Sequence, residues 1–174
     1  MRTLILGIDS GTQSTKALLL DATRKRVVGT GSAPHNLLTG LPPGAKEQRP
    51  ESWRAATTKA IKAAMKAARA QAGEVQAIGV SGQQHGFVPL DAQGQVIRPA
   101  KLWCDTSTAE ECDAITSALG GPEATIAALG NAVLPGFTAS KILWLKRHEP
   151  RHFARLSTIL LPHDYLNFWL TGRA

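Results

Sequence analysis

Three short β-type runs stand in close succession at the start of the chain: Thr3–Asp9 (TLILGID), Thr15–Asp21 (TKALLLD) and Arg26–Gly31 (RVVGTG). Each is bounded by turn residues, and the separations fit tight antiparallel hairpins. The first two runs are nearly continuously apolar, which predicts strands covered on both faces. After a Pro-, Gly- and Asn-rich stretch at 32–50, read as an exposed loop, Pro50 suits the first position of a helix. From Trp53 to Gln71 the chain is Ala-rich, with Trp53, Ala56, Ala60, Ala64 and Ala68 on one stripe. Gly73 is the expected stop. Strands followed by a helix and a further strand specify an α/β layer architecture with a mixed sheet.

The remainder continues this pattern. Val75–Ser81 (VQAIGVS) reads as a buried strand, Gly82–Gly86 as a turn, and Phe87–Leu90 with Gln95–Arg98 as a hairpin around Asp91-Ala92-Gln93-Gly94. Ser107-Thr108-Ala109-Glu110 has capping-box spacing and opens a helix to about Leu119. Helices follow at Pro122–Leu129 and Ala139–His148, the second ended by Pro150. A strand at Thr158–Leu161 leads into a last helix from Pro162 to Gly172. The chain of 174 residues suits one domain, and no internal repeat interrupts it.

Composition narrows the function classes. Twenty basic and thirteen acidic residues give a net charge of +7. The densest basic cluster, Lys59, Lys62, Lys66 and Arg69, lies on one helical face without interleaved aromatics, which describes a solvated helix back rather than a nucleic-acid surface. No apolar run approaches the roughly 18 residues of a membrane span. The amino terminus meets Asp9 too early for a secretory signal. Two cysteines, Cys104 and Cys112, form neither a disulfide framework nor a zinc site and are expected to be reduced. A cytoplasmic protein with a small-molecule ligand, no nucleic acid and no membrane is the expectation.

Two loops carry the chemistry. Gly7-Ile8-Asp9-Ser10-Gly11-Thr12-Gln13-Ser14-Thr15-Lys16 joins the first two runs. Gly11 allows positive φ and close approach of a ligand to the backbone. Backbone N–H groups of such a turn form an anion cradle over Gly11, Thr12, Gln13 and Ser14, to which Thr12 and Ser14 add hydroxyls and Lys16 a point charge. A carboxylate ending a buried strand needs a partner, and Asp9 suits Mg²⁺ held through water. An ordinary hairpin turn is built from the same residue types. A strand follows this loop instead of a helix, so it is not a Walker-type site.

The second loop is Ser81-Gly82-Gln83-Gln84-His85-Gly86, whose amides and imidazole offer a polyol several donors and acceptors. Trp103 supplies a flat apolar wall. Asp105 could accept hydroxyl protons or cap the following helix. His163-Asp164 reads as a first-turn charge.

Six segments in this order resemble the FGGY carbohydrate kinases, xylulokinases in particular: GIDSGTQSTK (7–16), EQRPESW (47–53), SGQQHG (81–86), LWCD (102–105), GNAVLPGFTASKILWLKRHEP (130–150) and LPHDYLNFWLTG (161–172). The resemblance spans Leu4–Gly172. It implies a ribonuclease H-like, actin-like ATPase domain, the cofactors ATP and Mg²⁺, and phosphorylation of D-xylulose to D-xylulose 5-phosphate. Asp9 matches the first-loop aspartate linked to metal and catalysis, Gln84 and His85 the pair that contacts the ketose, and Trp103 and Asp105 a position lining the sugar pocket. Ser10 and the Thr106-Ser107 pair depart from the family pattern.

Relatives in the family have about three times this length, by the usual size of a two-domain protein. Their catalytic base lies in an Asp-Ala-Ser/Ala-Gly motif that does not occur here. The resemblance therefore implies residues 1–174 as an incomplete amino-terminal kinase domain, inactive alone. It leaves open a homodimer of the full-length protein, a ribulose, glycerol or gluconate kinase, and a non-catalytic module of the same fold.

Overall fold

The computed structural model describes residues 2–173. In chain order the elements are β1 (Leu4–Ser10), β2 (Ser14–Asp21), β3 (Arg26–Pro34), β4 (Glu47–Gln48), α1 (Pro50–Ala67), β5 (Val75–Gly82), β6 (Val88–Leu90), β7 (Ala100–Lys101), α2 (Ala109–Ala118), α3 (Pro122–Leu129), α4 (Thr138–His148), α5 (Pro150–Phe153), β8 (Thr158–Leu160) and α6 (Pro162–Thr171). They fall into two compact units. Unit 1 comprises residues up to 37, 49–83 and from 162; unit 2 comprises 38–48 and 84–161.

Unit 1 is built on a mixed sheet of order β3-β2-β1-β5. β1 and β2 are antiparallel, as are β2 and β3, whereas β5 runs parallel to β1. Helix α1 lies on one face, and its predicted stripe of Trp53, Ala56, Ala60, Ala64 and Ala68 is buried. It packs on Leu4, Leu6, Ile8, Ala17 and Leu19. Small residues let helix and sheet approach closely. A Cβ at Gly29 would stand 2.4 Å from the Ala64 carbonyl oxygen, and one at Gly31 would stand 2.2 Å from that of Ala60. α6 joins the same unit through an edge-on contact of Tyr165 with Trp53, ring centroids 6.3 Å apart, and through Trp169 beneath Arg54.

The second face of this sheet corrects an expectation. β1 and β2 alternate between buried and exposed residues instead of being covered on both sides. Ile5, Leu18 and Ile78 are exposed there, and β5, expected to be buried, is an edge strand that pairs only with β1 among the described residues. Apolar residues on both faces hid the alternation from the sequence, because a period of two is visible only when the outward face is polar.

Other boundaries move for local reasons. α1 ends through Arg69, at φ 48°, not at Gly73. The Arg69 amide bonds to the Lys66 carbonyl and the Ala70 amide to that of Met65, the pair of bonds that satisfies a helix terminus. The segment 32–50 is no simple loop. β3 runs on to Pro34, and Glu47 and Gln48 form buried β4, paired with β7.

In unit 2 the turn after Leu90 forms, and Leu90 bridges Val96, but the returning arm is not a strand. β6 pairs instead with β8. The capping box fails because Thr108, not Ser107, occupies the N-cap of α2. The Ser107 hydroxyl is already committed to Asp105 at 2.7 Å. α3 begins at Pro122 and ends at Gly130 in a left-handed conformation. The basic residues Lys59, Lys62, Lys66 and Arg69 are exposed, as expected of a solvated face.

Candidate active site

The β1–β2 hairpin decides which groups of the first loop face outward. Asp9 stands opposite Lys16 on β2 and opposite Ser81 on β5, so the three form a row across the open face of the sheet. They line an open depression of about 910 Å³ together with Gly7, Leu18 and Gly79. The Asp9 carboxylate is exposed, not buried as the sequence suggested, and makes no hydrogen bond or ion pair among the described residues. Ser10 and Thr15 point the other way. Both are buried, and their hydroxyls bond to each other at 3.0 Å.

Thr12, Gln13 and Ser14 form the turn itself, closed by the Gly11 amide on the Ser14 carbonyl at 3.0 Å. The Gln13 carbonyl accepts the His35 amide at 3.0 Å, which ties the turn to the chain beyond β3. Gly11 does not use the positive φ expected of it. A Cβ at this position would meet nothing closer than the Ser14 carbonyl oxygen at 3.6 Å. The fold thus leaves room above the Gly11 backbone, and the space a side chain would fill suits a phosphate oxygen. An accessible carboxylate and an accessible ammonium beside it fit a metal-bound polyphosphate.

The residues that the sequence suggested for a sugar lie in unit 2. Gln84 and His85 are exposed, and His85 takes a left-handed φ of 56°. Its ring packs on Phe137, centroids 4.7 Å apart, and its carbonyl accepts the Thr138 hydroxyl at 3.1 Å. Trp103 is half exposed. Asp105 has a different character: it is fully buried and accepts from the Lys46 amide (2.9 Å), Lys101 (3.0 Å), and the amide (3.0 Å) and hydroxyl (2.7 Å) of Ser107. Burial opposes its charge, but the hydrogen bonds from Ser107, the Lys46 amide and Lys101 prevail and hold the carboxyl below the usual carboxylate range. Its oxygens are occupied within the protein, and it fixes the segment that presents Trp103. Its capping bond goes to Ser107, ahead of α2. In unit 1, His163 lies 3.2 Å from both the Gln83 carbonyl and Asp164.

The sequence reading passed over three residues of unit 2: Phe137 and Thr138, which support His85, and the buried Lys141. A signal existed for the last. Lys141 sits four residues before the buried Leu145 on α4, a spacing that puts both on one helix face. No group of His, Cys, Asp and Glu among the described residues is arranged to hold a metal by itself. No helix among them is long and apolar enough to cross a membrane.

Comparison with known proteins gives this geometry its context. The chain is 45% identical to the xylulose kinase of Haemophilus influenzae, over 98% of its length and 35% of that protein. It is 41% identical to the xylulose kinase of Streptomyces coelicolor, over 97% of its length and 34% of the relative. The chain therefore spans about a third of the curated relatives it matches. A solved structure from Brucella ovis, named a “xyloylose kinase”, superposes with a TM-score of 0.89 at 40% identity, covering 98% of this chain and 34% of the other. The mixed sheet with antiparallel hairpins is thus the actin-like ATPase fold of these sugar kinases. Residues 4–174 match the N-terminal domain of the FGGY family of carbohydrate kinases, and the chain belongs to that family.

Proposed function

We propose that the protein carrying this chain transfers the γ-phosphoryl group of ATP to a ketopentose, D-xylulose, and forms D-xylulose 5-phosphate. The observation that carries the reading is the row Asp9–Lys16–Ser81 beside the open backbone of Gly11. The names of the relatives support the choice of sugar.

In this reading unit 1 serves the phosphates. The amides and hydroxyls of Thr12 and Ser14, with Gln13 in the same turn, receive phosphate oxygens, and Lys16 adds positive charge. A carboxylate repels phosphate, so Asp9 is useful there only through a cation, and it would hold the hydration shell of Mg²⁺. When bound, ATP supplies the phosphoryl group and Mg²⁺ offsets the charge on its oxygens. Unit 2 serves the sugar, with Gln84 and His85 hydrogen-bonding its hydroxyls and Trp103 covering an apolar face. Asp105 acts by holding Trp103 in place. The attacking hydroxyl must give up its proton as its oxygen bonds to phosphorus and the bridging P–O bond breaks. We assign no residue of this chain to that step. The two free cysteines are consistent with a reducing cytoplasm.

Isothermal titration of the full-length protein against D-xylulose and glycerol tests the assignment. D-xylulose should bind the more tightly. Tighter binding of glycerol would sink it.

A further inference from the structure

Lys141 breaks two rules at once. It is fully buried, and it lies in the first turn of α4, where the helix dipole disfavours a cation. What offsets this is a ring of carbonyls. Its ammonium donates to Pro135 at 2.9 Å, Gly136 at 2.6 Å and Phe137 at 2.9 Å, all in the turn that leads into the helix. Two hydroxyls reinforce the same turn: Thr108 reaches the Pro135 carbonyl at 3.4 Å and Ser140 that of Phe137 at 3.3 Å. The Phe137 amide closes the turn on the Leu134 carbonyl at 2.9 Å.

That turn touches both segments assigned to the sugar. The Phe137 ring packs at a tilt against His85, and Thr138, the first residue of α4 after the turn, bonds to the His85 carbonyl. On its other side Gly136 lies against the Trp103 backbone, so closely that a Cβ there would stand 2.9 Å from the Trp103 carbonyl oxygen. His85 is held in a left-handed conformation that costs an L-residue free energy and persists only when its surroundings fix it. The contacts that fix it come from this turn.

We propose that Lys141 is the positioning residue for the sugar-side group: its ammonium clamps the 135–137 turn, and the turn sets His85 and Trp103 together. Lys141 does not touch the sugar. The inference rests on the ketose reading for its functional consequence, but the clamp itself can be observed without substrate.

The test uses the full-length protein and the variants Lys141→Met and Thr138→Val. Histidine labelled with ¹³C reports the ring of His85, assigned by His85→Gln, and fluorotryptophan reports Trp103, assigned by Trp103→Phe. Lys141→Met should move both resonances. It should also raise KM for the ketopentose by about tenfold to a hundredfold, the scale of a misplaced substrate contact, with KM for ATP changed less than about twofold. Either resonance unmoved, or KM for ATP rising in step with that for the sugar, overturns the proposal. If Lys141→Met does not fold, Thr138→Val decides, because it severs one bond without stranding a buried charge. It must move the His85 resonance, and failure to do so overturns the clamp. A wild-type protein that phosphorylates no ketopentose would refute the functional reading alone, since the resonances still report on Lys141.

Discussion

At Gly11 a methyl group would fit: φ is not positive, and the nearest atom to a built Cβ is 3.6 Å away. Gly11→Ala should therefore leave folding stability unchanged or raise it by about 0.4–1 kcal/mol through the unfolded chain. If the turn cradles phosphate, the same change should raise KM for ATP, by roughly tenfold for one displaced contact of about 1.4 kcal/mol. Thermal denaturation and steady-state kinetics on the full-length protein separate the two effects, and a loss of stability with KM for ATP intact would refute the cradle. In the same assay Asp9→Ala should lower kcat by about 10²–10³-fold, as loss of a charge-stabilising group does, with little change in sugar affinity. Lys141 makes a pH-dependent prediction. Burial pushes its ammonium down to about 8; nearby Asp105 opposes this fall and Lys101 adds to it, while the thiols of Cys104 and Cys112, themselves pushed up by burial, oppose it more weakly. Between that value and the ordinary 10.5 the unfolded state binds the extra proton, so this group's contribution to stability rises with pH. The neutral amine, however, has two N–H donors for three carbonyls. KM for the sugar should climb as pH passes through about 8 without a matching loss of stability, and Lys141→Met should lack that step. The exposure of Gln84 and His85 was legible in the sequence, because short turns carry polar side chains to the surface. The burial of Asp105 was not, because one of its donors, the Lys46 amide, comes from 59 residues earlier in the chain.

Among the elements, α1 shows how far periodicity carries. Its stripe of Trp53 and four alanines was readable, since a spacing of three and four residues defines one helix face. What the alanines meet was not readable. Gly29 and Gly31 fall inside the run read as a strand, but residue type alone did not show that they let the backbone of α1 come down onto the sheet. Gly31→Ala should push the helix outward and destabilise the protein by about 1–3 kcal/mol, the usual scale of overpacking. A lowered urea midpoint with an unchanged m-value would be the expected signature. No loss of stability would mean that the strand yields more easily than the 2.2 Å approach to the Ala60 carbonyl implies. The two short strands β4 and β7 escaped the sequence reading for a related reason. Glu47, Gln48 and Lys101 are polar residues in buried positions, and residue type alone assigns polar residues to the surface.

At the scale of the molecule, the two units are stabilised in different ways. Unit 1 has an apolar core of aliphatic strands against an alanine helix, whereas the centre of unit 2 is charged. There Glu47 accepts from Arg98 at 2.7 Å and from Lys101 at 3.4 Å; Arg98 also pairs with Glu149 at 3.0 Å, and Lys101 with Asp105 at 3.0 Å. The Trp144 ring lies beneath both cations, 5.1 Å from the Arg98 guanidinium carbon and 4.2 Å from the Lys101 nitrogen. Such a network adds little net stability while complete, because desolvation nearly cancels attraction, but it is costly to break. Glu47 is the carboxylate shared by both cations. Glu47→Ala leaves Arg98 with Glu149 and Lys101 with Asp105, yet strands buried positive charge and opens a cavity. The expected cost is about 3–5 kcal/mol, as for removal of one member of a buried pair. Hydrogen exchange on the full-length protein reads where that cost falls. The amides of β6, β7 and α4 should lose protection, and those of β1 and β2 should keep it, because exchange follows the stability of each cooperative unit. Equal loss in β1 and β2 would show that the two units open as one.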